Sequence, residues 1–535
     1  MKASLSKKER EPIEIKVEVG VCSHPSKAEE IAHAFRNELS RLKKEGIEKW
    51  SVITVGCRGL CFKAPLVEVN TPSLGKKVYQ NVKGMDVSRI VTEHIIKGKP
   101  VERLIADHLY QPFFSHQERR VLCNCGEIEP DTIESYREAG GYRGLEKALK
   151  EMSPDEVLRE IKEATLTDRD SRALRTGGKL ESYKKHERHP KYLICSGEGE
   201  ASEACITIAL MEGNPFALIE GMTIAAYCVP GVTKGYIFHK KEVHPLVIRR
   251  MENAVRTARE KGFLGKGIMG TSLEFDLELK ANGEEFHPQG NAVCCKECAQ
   301  LLGEPEVIGI SDQRPLYVKD FESLWQLNNV FNAETLATLP LIIDHGGSWF
   351  KAVGTTESPG TKIFALVGDV TQAGLVEVPY GTTLSQILDL CNNDRNAVKA
   401  FMLGGLGGGF LPQEFVNTPL DHSNLTAVGS RVGSGKILIM DQTHSIIDMT
   451  RYAVQKMIDE SCERCQPCVR SLKSMVPLLN KIAESQARAD DLVLLRQIAE
   501  NLKENALCEL GKLAPTVILS GLNYFEEEYE KHILQ

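Results

Sequence analysis

Ser461-Cys-Glu-Arg-Cys-Gln-Pro-Cys-Val-Arg470 places Cys462, Cys465 and Cys468 two residues apart from one another, and Cys508 follows across a helical segment. Three thiolates at this spacing, on a turn next to a helix, can ligate three irons of one cubane. A distant fourth cysteine then closes the ligand set of a [4Fe–4S] cluster. A zinc site ordinarily pairs two separate CxxC units, and four buried free thiols would need no regular spacing. The spacing therefore favours iron–sulfur. The flanking sequence is helical in pattern over Ile447–Glu460, Val469–Gln486, Asp490–Glu504 and Pro515–His532, with Gly511 and Pro515 expected to break the chain before the last helix. A helical bundle around one buried cluster is the reading of residues 441–535.

The bulk composition fits that chemistry. A chain of 535 residues is too long for one core and implies several domains. A net charge of −7 and 42% hydrophobic residues give no basic bias towards nucleic acid. No apolar run reaches membrane-spanning length, and Met-Lys-Ala-Ser-Leu-Ser-Lys-Lys-Glu at the start lacks the apolar core of an export signal. Sixteen cysteines in such a context point to a reducing, cytoplasmic compartment and to metal ligation rather than disulfides.

Upstream, residues 1–110 contain an alternating strand (Ile13, Ile15, Val17, Val19) and a helix over Lys27–Lys44. Strands over Trp50–Val55, Pro65–Asn70 and Lys77–Val82 follow, then a helix over Val87–Lys97. This order suits a thioredoxin-like fold. Its loops carry Cys22 and the pair Cys57 and Cys61. Gly56-Cys-Arg-Gly-Leu-Cys-Phe-Lys-Ala-Pro-Leu-Val67 resembles the second cysteine loop of thioredoxin-like [2Fe–2S] domains, which pair C-x4-C with a later C-x3-C. Here only Cys22 remains of the first pair, and Val17 stands at the other position. A [2Fe–2S] cluster needs four ligands. Either His24 or Ser26 serves as the fourth, or the fold has outlived its cluster.

Residues 111–345 read as a connector and the largest α/β region, with Cys123 and Cys125 structural rather than ligating. Ser153-Pro-Asp-Glu156 has the form of a capping box. Residues 346–440 read as a β-grasp module: a strand over Thr361–Gly368, a hairpin partner over Gly374–Pro379 and a helix over Thr383–Asn392. Two glycine-rich stretches there are not nucleotide loops. Gly404–Gly409 lacks a surrounding βαβ unit, and Gly429–Lys436 has neither the spacing nor the Ser/Thr of a P-loop.

The succession of segments resembles one family along nearly the whole chain: the flavin-bearing, NADH-oxidising subunit of respiratory complex I, and more closely its fused relatives in NAD-linked hydrogenases and formate dehydrogenases. Asn124-Cys-Gly-Glu-Ile128, Gly141-Tyr-Arg-Gly-Leu145, Leu218–Tyr227, Gly354–Lys362 and the cysteine motif carry the resemblance. It implies a soluble-ligand-binding β-grasp (SLBB) domain, FMN, NADH and further redox subunits. Four flavin-pocket segments depart from the family pattern. The loop of the form GLRGRGGGGFPTGLKW reads Thr165-Leu-Thr-Asp-Arg-Asp-Ser-Arg-Ala-Leu-Arg-Thr-Gly-Gly-Lys-Leu180. Asp168 and Asp170 thus stand where glycine backbone would approach a phosphate. CNGDEGDPGAF becomes Cys195–Ala204, GAYxCGEETAL becomes Gly290–Gln300, and INNVET becomes Val330-Phe-Asn-Ala-Glu-Thr335.

FMN and NADH are therefore not expected in the family's usual manner. Lys179, Glu198 and Glu297 are the contacts to test if flavin is retained. Cys294, Cys295 and Cys298, with Cys195 or Cys228, form a candidate extra metal site in the vacated pocket. The expected function is a [4Fe–4S] electron-transfer subunit of a larger redox complex. Its expected partners are a thioredoxin-like [2Fe–2S] subunit, a true flavin subunit, or a catalytic reductase, hydrogenase or dehydrogenase subunit. An active NADH dehydrogenase is the alternative.

Overall fold

The computed structural model describes residues 12–42, 49–170, 173–185, 191–196, 204–239, 243–281, 330–459, 461, 466–506 and 509–534. Cys462, Cys465, Cys508, Glu198, Glu297, Cys294, Cys295 and Cys298 lie outside the described residues.

Three sheets carry the architecture. In the first, β1 (Ile13–Glu18) runs parallel to β2 (Trp50–Val55) and antiparallel to β3 (Val67–Thr71), which pairs with β4 (Gly75–Tyr79). Ile15 and Val17 point into an apolar core with Ile31, Phe35 and Leu39 of the helix Pro25–Leu42, as the alternation predicts. The opposite face of β1 is polar and faces the rest of the chain. Buried Arg58 anchors this contact, with its Nη1 2.7 Å from Glu68 and 2.6 Å from the Tyr110 hydroxyl.

The second sheet holds β5 (Lys191–Ser196), β6 (Val232–His239), β7 (Gly265–Lys266), β8 (Glu274–Ala281) and β9 (Val330–Asn332), in the order β7-β8-β6-β5-β9. All neighbours are parallel except β7 and β8. Packed on it, the helix Pro215–Cys228 is apolar all round and almost wholly buried, so it belongs inside the domain rather than on its surface. It crosses the helix Ala333–His345 closely: a Cβ at Gly221 would stand 1.9 Å from the Leu336 carbonyl oxygen. Gly221→Ala is expected to cost about 1–3 kcal/mol through overpacking, read as a lowered unfolding temperature.

The same helix carries Glu220, buried within the core. Its carboxylate accepts from the Tyr136 hydroxyl at 2.6 Å and from the backbone N–H groups of Tyr142 and Leu145 at 2.8 and 2.9 Å. Burial pushes this carboxyl up to about 7. The folded state thus holds a proton that the unfolded chain releases near pH 4.5, so this stability is present below that pH and lost as pH rises through about 7. Calorimetry should show a falling unfolding temperature between those limits, with a shallower decline in Glu220→Gln.

The third sheet has β10 (Thr361–Gly368), β11 (Gly374–Pro379), β12 (Val398–Leu403), β13 (Phe410–Pro412) and β14 (Lys436–Asp441), in the order β11-β10-β14-β12-β13. Gly404–Gly409 is the turn between antiparallel β12 and β13, with Gly404, Gly405 and Gly409 at φ of 62°, 79° and 78°. Gly429–Lys436 leads directly into β14. The second and third sheets are tied by Glu334, which accepts from Lys362 Nζ at 2.6 Å and from the Ile363 N–H at 3.0 Å.

The C-terminal helices are Ile446–Asp459, Gln466–Ala483, Ala489–Asn505, Glu509–Tyr524 and Glu526–Glu530. Pro515 does not break the chain as the sequence suggested; it lies inside the helix Glu509–Tyr524. Pro515 has no N–H to donate to the Gly511 carbonyl four residues back, yet the helix runs through it. The capping box at Ser153 forms as read, with Ser153 Oγ and the Glu156 carboxylate each accepting from the other's N–H. No helix of the described residues is long and apolar enough to cross a membrane.

Candidate functional site

Three regions carry the residues singled out from sequence. In the helical region, Cys468 sits in the first turn of Gln466–Ala483 and is 3% exposed, among Leu472, Met475 and Leu479. Ser461 Oγ is 4.0 Å from its sulfur, and a Cβ at Gly511 would be 3.7 Å from it. The segment just after Cys508 therefore packs directly against Cys468, although 42 residues of chain separate Cys468 from Gly511.

The second region lies where the loop after the helix Pro154–Glu163 meets the ends of β5 and β9. Asp168 is 1% exposed. Its carboxylate accepts from the Asn332 N–H at 3.1 Å, from Thr335 Oγ1 at 2.7 Å and from the Lys179 ammonium. Lys179 also donates to the Val330 carbonyl at 2.5 Å and stands 4.4 Å from the centre of the Phe331 ring. Arg169 is buried beside this pair, donating to Thr167 Oγ1, the Tyr380 hydroxyl and the Thr361 carbonyl at 2.9, 3.1 and 2.8 Å. Asp170 caps its own turn by accepting from the Ala173 N–H.

Thr176, at the start of the helix Thr176–Lys185, is also buried, and its Oγ1 has no hydrogen-bond partner. Among the described residues of this loop, the buried Lys179 ammonium is held by the buried Asp168 carboxylate.

Cys195 and Cys228, the alternative partners of the Cys294–Cys298 group, lie far apart along the strands. Cys195 is near the carboxyl end of β5, whereas Cys228 precedes β6 at the opposite edge of the sheet. Only Cys195 adjoins Asp168, and burial with that carboxylate pushes its thiol up.

The third region is the loop pair of the N-terminal sheet. Cys57 and Cys61 sulfurs are 4.0 Å apart. The influence of Cys61 lowers the Cys22 thiol to about 7, while Cys61, beside both other thiols and largely buried, is raised. Cys61 likewise pulls Cys57 down, but burial and the charges of Glu18 and Glu212 leave it raised. The Gly59 N–H donates to Cys57 Sγ at 3.2 Å.

The loops are clamped by the rest of the chain: the Val21 N–H donates to Glu212, and the Leu375 N–H to the Gly59 carbonyl, at 2.9 and 2.8 Å. Sequence reasoning named the three cysteines but missed Glu18 and Glu212. Alternation along β1 could have marked Glu18 as facing away from Val17; nothing local marks Glu212. Cys125 is buried and Cys123 exposed.

Residues 161–340 match the Nuo51 FMN-binding domain, and residues 448–532 match the NADH-ubiquinone oxidoreductase-F iron-sulfur binding region. A 4Fe–4S binding region is thus present, and the match at 161–340 lends no support to the expectation that flavin is lost. The NADP-reducing hydrogenase subunit HndC of Solidesulfovibrio fructosivorans is 34% identical, over 78% of this chain and 84% of its own. The F-type subunit of the NADH-quinone oxidoreductase of Streptomyces coelicolor is 33% identical, over 76% and 89%. Among solved structures, an NAD+-reducing [NiFe]-hydrogenase in its air-oxidized state shares the fold, with a TM-score of 0.61 and 20% identity, over 98% of this chain and 86% of that one.

Proposed function

This chain belongs to the family of F-type subunits of NADH-quinone oxidoreductases, and we propose that within it the chain is an electron-transfer subunit whose flavin pocket has been refilled by protein. A [4Fe–4S] cluster held by Cys462, Cys465, Cys468 and Cys508 relays electrons one at a time. The buried pairing of Lys179 with Asp168 carries the flavin part of this reading. A phosphate would have to compete with a carboxylate already hydrogen-bonded by Asn332 and Thr335, and an approaching anion would meet that negative charge.

A one-electron centre needs donors and acceptors, so the chain works with a thioredoxin-like [2Fe–2S] subunit, a flavin subunit, or a catalytic hydrogenase, dehydrogenase or reductase subunit, in the cytoplasm. Its modules are a thioredoxin-like domain (1–110), the connector and flavin-type α/β domain (111–345), an SLBB β-grasp domain (346–440) and the helical cluster domain (441–535).

A second reading retains FMN, with Lys179, Glu198 and Glu297 as contacts and NADH as donor. The FMN-binding-domain match favours it, and so does Thr176 Oγ1, unpartnered at a helix start. Acid-released flavin per polypeptide separates the two. The relay predicts none, together with no NADH oxidation by an artificial acceptor. One flavin per chain would restore the dehydrogenase.

A further inference from the structure

We propose that Glu18 completes an iron–sulfur ligand set with Cys22, Cys57 and Cys61, so that the N-terminal module binds a [2Fe–2S] centre through three thiolates and one carboxylate. The thiol spacing supplies three donors, and a [2Fe–2S] core takes four. The sequence offered Val17, His24 and Ser26 around the missing position. Val17 is fully buried in the apolar core, while His24 and Ser26 are exposed. None of them is placed among the sulfurs.

Glu18 is different. It follows Val17 on β1 and so points to the opposite face of the sheet, towards the cysteine loop. Its Oε2 accepts from the backbone N–H of Arg58 at 3.3 Å, the residue directly after Cys57. Oε1 is buried with no hydrogen-bond partner, and the residue as a whole is 1% exposed. An unsatisfied carboxylate oxygen in such a site is costly unless something positive meets it.

The thiols fit the same occupant. Two thiolates on one tetrahedral metal at about 2.3 Å stand about 3.8 Å apart, and Cys57 and Cys61 are 4.0 Å apart. Cys22 follows Val21, whose N–H is held by Glu212. The Gly59 N–H aimed at Cys57 is a donor of the kind that stabilises a ligating sulfur. Glu212 closes the site from the neighbouring domain, which places the centre at the seam between the N-terminal module and the body of the chain. Exposed Cys22 gives it an edge towards solvent or a partner. This assignment stands apart from the flavin question.

The test uses the full chain purified without oxygen. Iron and acid-labile sulfide are counted per polypeptide, and paramagnetic resonance is recorded after dithionite reduction. About six irons are expected, four from the C-terminal cluster and two from this one. Cys57→Ser and Glu18→Gln should each lose about two irons and the [2Fe–2S] signal while keeping the [4Fe–4S] signal, which also reports folding. Should Glu18→Gln lose both signals, Glu18→Cys decides. A shifted or lost [2Fe–2S] signal beside an intact [4Fe–4S] signal supports ligation by residue 18, and an unchanged one overturns it. A native chain with about four irons, or with one zinc and no additional iron, also overturns the assignment.

Discussion

Cys468→Ser is expected to abolish the [4Fe–4S] signal and to remove about four irons per chain rather than one, because a cubane without its third thiolate is not retained. The loss should extend beyond the metal. Cys468 is 3% exposed in the core that joins the last helices, against Leu472 and Met475 of its own helix and beside Gly511 of the helix Glu509–Tyr524. Those two helices are separated by the helix Ala489–Asn505, and the cluster would bridge them through Cys468 and Cys508. Ligand binding of this kind is folding free energy, so the helical domain should unfold at a lower temperature and become open to proteolysis between residues 461 and 510. Retention of the full signal in Cys468→Ser would sink the ligand assignment, whatever happens to stability.

Lys179→Met is expected to cost about 3–5 kcal/mol, because it leaves the Asp168 carboxylate buried without its cation. The carboxylate would keep the Asn332 N–H and Thr335 hydroxyl, but neither carries charge. Asp168→Leu combined with Lys179→Met should recover most of the loss, since replacing both members of a buried pair by apolar groups is often nearly neutral. Urea unfolding of the single and double variants measures the difference. If Lys179 instead serves a flavin phosphate, the outcome reverses: Lys179→Met unfolds close to the native midpoint and its flavin content falls. The two readings of the pocket therefore differ in stability as well as in cofactor content.

The cysteine spacing at 462–468, the helical periodicity around it and the departure of four segments from a flavin-pocket pattern were legible residue by residue, because ligand spacing and amphipathic period are local properties of a chain. So were the four strands of the N-terminal sheet, the hairpin of β10 and β11 and the turn nature of Gly404–Gly409, whereas the short strands β7 and β9 and the strands β12, β13 and β14 were not. Partnerships were not legible. Asp168 could be read as hostile to a phosphate, yet nothing in the sequence says that Lys179, 11 residues on, turns back to neutralise it. Nor does it say that Phe331 and Val330 of a distant strand hold that lysine from the other side.

The same limit applied to the N-terminal module. Spacing alone points to His24 and Ser26, which the fold leaves exposed, and not to Glu18, whose neighbour Val17 points the other way. Local pattern fixes which residues share a face. Only the packing of one domain on another decides which faces lose their water, and so which charges must find a partner or a metal.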